Sequence, residues 1–223
     1  MDTSYLDSRT NNSKFNIKHS GLADYFVTWQ AMKSFTLART KNTYDEIWLL
    51  QHPSVYTLGI AGKLEHLLQN NGIAVVRTDR GGQITYHGPG QIVAYLLLDV
   101  RRLKIGVREL VRKMEGAVID LLKEYCIDTE SRMESPGVYV GDAKIAALGL
   151  KIKNGCCYHG IALNVDMDLT PFSAINPCGY PGLRVTQTKD LGIADGVEVL
   201  SDKLAEKLQR RIIKEKSLYS HDK

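Results

Sequence analysis

Two neighbouring segments indicate the architecture of this protein: QIVAYLLLD, Gln91 to Asp99, and VRELVRKMEGAVIDLLKEY, Val107 to Tyr125. The first segment carries an apolar run without alternation, Ile92 to Leu98, which predicts a strand that is buried on both faces. The second places apolar residues at i, i+3, i+4 and i+7, which predicts a helix with one face in the core. A buried strand and a core-facing helix together indicate a sheet covered by helices.

Further elements are predicted outward from this pair. A polar leader, expected to be flexible, spans residues 1–20, and a single domain spans 21–223. The irregular order of strands and helices predicts an α/β or α+β domain with a mixed sheet. The expected helices are Ala23–Arg39 and a C-terminal surface helix at Leu200–Lys216; the expected strands are Glu46–Gln51, Val55–Leu58, Ile73–Arg77, Gly137–Val140, Lys144–Lys151 and Gly160–Val165.

Composition narrows the class of protein. The 223 residues are 43% hydrophobic and 24% charged, with a net charge of +4, which is too mild a charge to indicate nucleic-acid binding. The apolar runs fall short of the roughly 20 residues that a membrane-spanning helix needs. The N-terminal segment lacks the hydrophobic region of a secretory signal, so a cytoplasmic location is expected.

The four cysteines have spacings that fit neither a disulfide framework nor a zinc site. Cys126, Cys156 and Cys157 are interpreted as small buried hydrophobic residues. A metal site built from Cys157 and His159 is a minor alternative, because their spacing matches no standard ligand pattern. Cys178 differs from the others because it lies in a loop of Pro and Gly, which makes it a candidate nucleophile.

Two further segments contain candidate site residues. The segment RGGQITYHGPGQ, Arg80 to Gln91, has four glycines in twelve residues and indicates either a pocket wall or a complex turn. It lacks the spacing of a phosphate-binding loop. Lys144, at the start of an apolar strand, is interpreted as a solvated edge residue or as a half-buried amine with a lowered pKa. Lys144, His87 and His159 all remain candidate bases for Cys178.

Four motifs in order give a family resemblance. They are RGGQITYHGPGQ (Arg80–Gln91), GVYVGDAKIAALGLKI (Gly137–Ile152), HGIALNVDMDLTPF (His159–Phe172) and INPCGYPG (Ile175–Gly182). Together they resemble the octanoyltransferases of lipoate biosynthesis, and the similarity spans about Tyr25 to Leu191. The resemblance implies the fold of the biotin and lipoate protein ligases, with residues 21–223 as one catalytic domain.

The resemblance also implies a chemistry and its partners. Cys178 is expected to accept an octanoyl group from acyl carrier protein as a thioester, with Lys144 as acid/base. The acceptor is the lysine of a lipoyl domain, in 2-oxoacid dehydrogenases or in the H protein of glycine cleavage. Neither ATP nor a metal is expected as cofactor. The acyl pocket is expected to be lined by Arg80, Gly81, Gly82, Gln83, Ile84, Thr85, Tyr86, His87, Ala147, Leu148, Gly149, Gly160, Ile161 and Ala162.

Three alternative functions remain open at this point. An ATP-dependent lipoate or octanoate ligase shares the expected fold, but it has no need of Cys178 and should carry a nucleotide-binding motif that the sequence lacks. An amidotransferase would move octanoyl or lipoyl groups between two lipoyl proteins with a similar Cys and Lys. A carrier-binding module with no catalytic activity is the third alternative.

Overall fold

The computed structural model describes residues 15–213, which form a mixed sheet of strands flanked by helices. The helices are α1 (Tyr25–Ala38), α2 (Val107–Lys123) and α3 (Val197–Ile213). The strands are β1 (Phe15–Leu22), β2 (Asp45–Gln51), β3 (Val55–Leu58), β4 (Val75–Arg77), β5 (Ile84–His87), β6 (Gln91–Asp99), β7 (Glu130–Ser131), β8 (Gly137–Val140), β9 (Ala143–Lys153), β10 (Cys156–Asn164) and β11 (Arg184–Val185).

The strands form two sheets, and β6 lies in the interior of the larger one. That sheet has the order β1-β2-β6-β10-β9-β8-β7, and β11 pairs in parallel with β9. The strand β6 is antiparallel to both of its neighbours, β2 and β10. A smaller sheet has the order β4-β3-β5. The predicted buried strand is therefore confirmed as the centre of the fold.

The two faces of β6 pack against different helices. Leu96 and Leu98 belong to the main core, which also contains Leu110 and Leu121 of α2. Val93, Tyr95 and Leu97 face the opposite side, where they join a cluster that includes Met32 of α1. Because successive side chains of a strand point to opposite faces, one continuous apolar run supplies both cores. The predicted mixed α/β architecture is confirmed.

The prediction for the N-terminus was partly wrong. Residues 15–20, assigned to a flexible leader, belong to β1, which pairs in parallel with β2. Most side chains of β1 are exposed, so the hydrophobic pattern that marks a buried strand is absent there. The remainder of the predicted leader, residues 1–14, lies outside the described residues.

The C-terminal helix and two cysteines require smaller corrections. The helix α3 packs against α2 and buries Leu200, Leu204 and Leu208 completely, so it is part of the core. Its predicted end, residues 214–216, lies outside the described residues. Cys126 is exposed in the turn after α2 and was wrongly interpreted as buried. Cys156 is buried as expected, but it begins β10, which was predicted to start four residues later.

No helix within residues 15–213 combines the length and the hydrophobicity that crossing a membrane requires.

Candidate active site

The structure brings together the side chains of Cys178 and Lys144, which are 34 residues apart in sequence. The Nζ atom of Lys144 lies 3.1 Å from Sγ of Cys178. Lys144 is near the start of β9, and Cys178 is in a short 3-10 turn, Pro177–Gly179. The candidate nucleophile and one of its three candidate bases are therefore in direct contact.

Lys144 is a buried ammonium group rather than the solvated edge residue expected from its isolated position in an apolar strand. Its exposed fraction is 3%. The Nζ atom also donates to Ser135 Oγ at 3.3 Å and to the Pro136 carbonyl at 3.2 Å. Burial acts to lower the pKa of Lys144, but the facing Cys178 thiol and Tyr139 hydroxyl outweigh it, and the pKa is raised. The alternative interpretation, a half-buried amine, is closer to the structure, but the lowered pKa that it included was wrong because the Cys178 sulfur lies close to the amine.

The Cys178 loop, residues 176–185, has an unusual backbone conformation at Cys178 and is hydrogen-bonded to other segments at both of its ends. Cys178 has φ 57° and ψ 13°, a left-handed conformation that costs energy in any residue with a Cβ. Upstream, the Asn176 amide donates to the His66 carbonyl at 2.8 Å. Downstream, β11 pairs with β9 so that Val185 lies opposite Lys144. The strand that carries Lys144 therefore also anchors the end of the Cys178 loop.

Gly137 leaves the space that Lys144 needs. Its φ is 147°, and a Cβ built there would lie 2.7 Å from the Ala146 carbonyl oxygen and 3.0 Å from Lys144 Cε. We expect Gly137→Ala to displace the ammonium group and to slow modification of Cys178 by a thioester by about ten- to a hundredfold. Gly196→Ala, where a Cβ meets nothing within 4 Å, is the matched control.

The measurement for this pair of variants is the rate of the Cys178 adduct by intact-mass spectrometry, together with the melting temperature. A folded Gly137→Ala protein that is modified at the rate of Gly196→Ala would show that the Lys144 position is insensitive to this contact.

A cavity of about 370 Å³ opens beside Cys178, within the range of small-molecule sites. Its mouth includes exposed residues such as Pro136 and Tyr180, and its floor includes the buried residues Tyr95 and His159. Most of the residues predicted to line an acyl pocket do line it: Arg80, Gly81, Gly82, Gln83, Ile84, Thr85, His87, Ala147, Leu148, Gly149, Gly160, Ile161 and Ala162.

Tyr86 is the predicted pocket residue that the structure places elsewhere. Its ring packs against Tyr56 and Phe172, with ring centroids 5.6 Å and 5.4 Å away, and it does not line the cavity. The reason is the alternation of β5: the side chains of Thr85 and His87 point to the other face.

The glycines of the cavity wall bring backbone segments together rather than leaving open space for an acyl chain. A Cβ on Gly149 would lie 2.8 Å from the Gly81 carbonyl oxygen, and one on Gly160 would lie 1.9 Å from that of Ala94. The Gly81 amide donates to the Leu150 carbonyl at 2.9 Å. Glycine at these positions therefore lets the Arg80–Gly82 segment and β6 pack closely on β9 and β10.

Arg80 places a buried positive charge close to the cavity. Its guanidinium donates to Thr57 Oγ1 at 2.8 Å, to the Gln83 carbonyl at 2.8 Å and to the Gly81 carbonyl at 3.0 Å. Burial lowers the pKa of Arg80, and the Tyr25 hydroxyl and the Cys178 sulfur oppose this effect.

With this geometry in place, comparisons with known proteins identify the family. Residues 24–216 match the lipoyl protein ligase A/B catalytic domain. The octanoyltransferase of Nitrosospira multiformis is 72% identical over 200 residues, which cover 90% of this chain and 93% of that protein. The octanoyltransferase of Nitrosomonas eutropha is 64% identical, covering 88% and 89%. The chain belongs to the octanoyltransferase family. The resemblance drawn from the four motifs is therefore confirmed.

More distantly related proteins share the fold of this octanoyltransferase family member. A crystal structure of lipoate-protein ligase A bound with ATP superimposes with a TM-score of 0.71 at 16% identity, covering 90% of this chain and 85% of that chain. At this identity the similarity concerns the fold alone, and it confirms the predicted lipoate-ligase architecture.

The two other candidate bases are engaged elsewhere. Nδ1 of His87 lies 2.7 Å from Gln91 Oε1, and burial lowers the pKa of His87 to about 3. Nε2 of His159 lies 2.9 Å from Asp79 Oδ1, and burial lowers its pKa as well. Among the described residues, Lys144 is the side chain that is hydrogen-bonded to Cys178 Sγ. In this octanoyltransferase family member the histidines form the cavity floor.

The minor alternative of a metal site receives no support from these contacts. Cys157 is buried and donates to the Leu96 carbonyl at 3.2 Å. Over residues 15–213, no three His, Cys, Asp or Glu side chains come close enough together to hold a metal ion.

Several cavity residues were missed by sequence reasoning. Val93 and Tyr95 belong to the apolar run of β6, which has no alternation, so the residues themselves do not show which face of the strand borders a cavity. Tyr25, at the start of α1, and Val107, at the start of α2, also line the cavity. Each is the first residue of a helix, and the sequence around it has no feature that indicates a pocket.

Proposed function

We propose that the chain transfers an octanoyl group from an acyl carrier protein to the lysine of a lipoyl domain, through a thioester on Cys178. The observation that carries this proposal is the 3.1 Å contact between Lys144 Nζ and Cys178 Sγ at a largely apolar cavity. The chemistry needs a sulfur nucleophile, a proton donor beside it and an apolar site for the acyl chain, and Cys178, Lys144 and the cavity are adjacent.

In the first half-reaction the Cys178 thiolate attacks the thioester carbonyl of the donor. The new bond joins Sγ to the acyl carbon, and the bond between that carbon and the phosphopantetheine sulfur breaks. Lys144 gives its proton to the departing sulfur. Lys144 Nζ lies 3.1 Å from Cys178 Sγ, so the group that gives the proton is in contact with the nucleophile.

In the second half-reaction the neutral amine of the acceptor lysine attacks the octanoyl thioester. The carbon–nitrogen bond forms as the bond to Cys178 Sγ breaks, and the electron pair returns to the sulfur. Lys144, neutral after the first step, takes up the proton that the amine loses. The thiolate and the ammonium are restored, so one residue serves as acid and then as base.

The direct test uses octanoyl acyl carrier protein as donor, without ATP. The expected result is an octanoyl adduct by intact-mass spectrometry that hydroxylamine removes and that a lipoyl domain consumes. A requirement for ATP and free octanoate would favour the ligase alternative. Acylation by an octanoylated lipoyl protein in place of the carrier protein would favour the amidotransferase, and no adduct from any donor would reject the proposal.

Two expectations remain part of this proposal. Since the thioester already carries an activated acyl group, neither ATP nor a metal ion is required by the two half-reactions. A cytoplasmic location suits a free Cys178 thiol, which a reducing compartment keeps unoxidised.

Basic residues near the cavity mouth suit acidic protein partners. Arg132 and Arg184 line a groove that shares Glu134, Ser135 and Tyr180 with the mouth. Arg132 is paired with Glu130 and Asp142, whereas Arg184 is exposed, so its charge acts on an approaching partner through solvent. Acyl carrier proteins and lipoyl domains are typically acidic, and complementary charge raises the rate of encounter.

We therefore expect Arg184→Glu to lower kcat/KM for the carrier substrate by about three- to tenfold at low salt, and expect salt to reduce the difference. Arg210→Glu, on the exposed side of α3 where Arg210 faces Glu206, is the control. Initial rates at several salt concentrations provide the measurement. Equal salt dependence in the two variants would exclude steering by this groove.

A further inference from the structure

Glu115 is a buried carboxylate that the two half-reactions do not use. It lies in the middle of α2 and is only 5% exposed, between the core residues Met114 and Ala117. A buried carboxylate is unfavourable unless hydrogen bonds or opposite charges compensate for the lost water. Its surroundings therefore need to supply that compensation.

The compensation comes from the peptide group that also holds Lys144. The Gly137 amide donates to Glu115 Oε1 at 2.9 Å. The carbonyl of the same peptide bond belongs to Pro136, and it accepts from Lys144 Nζ at 3.2 Å. Because a trans peptide is planar and its C=O and N–H point in opposite directions, one rigid unit connects the carboxylate to the ammonium. Each charge polarises the peptide in the sense that favours the other.

Gly137 makes this short connection possible. Its φ of 147° and its missing Cβ leave room for the Lys144 side chain, whose Cε would lie 3.0 Å from a Cβ there. The peptide can therefore lie directly between α2 and the amine. The pKa of Glu115 is raised by burial, and the Gly137 amide and the charges of Lys144 and Arg112 oppose that rise.

We propose that Glu115 is a positioning residue for Lys144, acting through the Pro136–Gly137 peptide to fix the amine and to stabilise its positive charge. This inference rests on the proposed function, because it assigns Glu115 a part in the proton transfers of Lys144.

The other charged and titratable groups around this unit are few among the described residues. Cys178 faces Lys144 from the turn Pro177–Gly179, and Tyr139 faces it from β8. Arg112 faces Glu115 from α2 itself. Arg132 stacks on the Tyr139 ring, and on α3 Arg211 binds Asp120 of α2. Glu115 is thus the carboxylate that interacts with Lys144, and removal of its charge should change the pKa of Lys144.

The test is the pH profile of Cys178 acylation in Glu115→Gln, measured by intact-mass spectrometry with octanoyl acyl carrier protein. The glutamine amide oxygen still accepts from Gly137, so the variant removes charge and retains the hydrogen bond. Loss of negative charge lowers the pKa of Lys144. The proton-donating form is then lost at a lower pH, and we expect the alkaline limb of the profile to move down by about one pH unit.

Glu124→Gln is the matched control, because Glu124 follows the last residue of α2 and binds Lys207 on the surface. Its profile should match that of the parent protein. A uniformly slower rate in Glu115→Gln, with no shift of the alkaline limb, would assign Glu115 a structural role and overturn the proposal. Parent protein that forms no adduct at any pH would reject the proposed function itself, a result distinct from an adduct that forms with an unshifted profile.

Discussion

Cys178→Ser is expected to abolish the octanoyl adduct and to lower octanoyl transfer by at least about a thousandfold. An enzyme that loses its nucleophile retains only the catalysis that binding and electrostatics supply. A serine hydroxyl is a much weaker acid than a thiol, so the variant supplies no comparable anionic nucleophile at neutral pH. Intact-mass spectrometry of the acylated protein and the rate of acceptor modification are the two measurements.

Cys126→Ser controls for a general effect of removing a thiol, because Cys126 is exposed in the turn after α2. Its adduct yield and transfer rate should equal those of the parent. An octanoyl adduct of unchanged yield in Cys178→Ala, where no side-chain nucleophile remains, would place the acyl group on another residue and refute the mechanism.

Lys144→Met should slow acylation of Cys178 by about a hundred- to ten-thousandfold, the usual range for loss of a general acid. Methionine fills a similar volume without the charge. Cys178 therefore loses the cation beside it, and the departing sulfur of the donor loses the group that would protonate it. Lys144→Arg should rescue little, because a guanidinium stays protonated and cannot take up the proton of the acceptor amine. Single-turnover rates of adduct formation and of its consumption separate the two steps.

Lys151→Met is the control for this pair, since Lys151 is a half-exposed lysine of the same strand, β9. Its rates should remain within about twofold of the parent protein. If Lys144→Met is acylated as fast as Lys151→Met, the proton must come from another group, and His87 and His159 become the next candidates.

The sequence predicted best those elements whose hydrophobic pattern matches the way they are buried in the fold. The apolar run of β6 and the periodic face of α2 are buried because their own residues require it. The strand β1 was missed, since it is an edge strand with exposed side chains and is held by backbone pairing with β2. Backbone pairing leaves no residue pattern that a single sequence can reveal.

The site was predictable to the extent that its residues have unusual neighbours. Cys178 stood out because a thiol among Pro and Gly has no place in a core. The choice of Lys144 over His87 and His159 could not be made from the residues alone, because it depends on a 3.1 Å contact across 34 residues. The rise in the pKa of Lys144 was missed for the same reason: the sulfur that causes it comes from a distant loop.

The pairing of β11 with β9 means that the distance between nucleophile and base is set locally. Val185 lies opposite Lys144, and the Thr186 amide donates to the Lys144 carbonyl at 3.0 Å. The short segment that follows Cys178 therefore ends in backbone contacts with Lys144, the proposed base. Bending of the large sheet therefore moves the nucleophile and the base together.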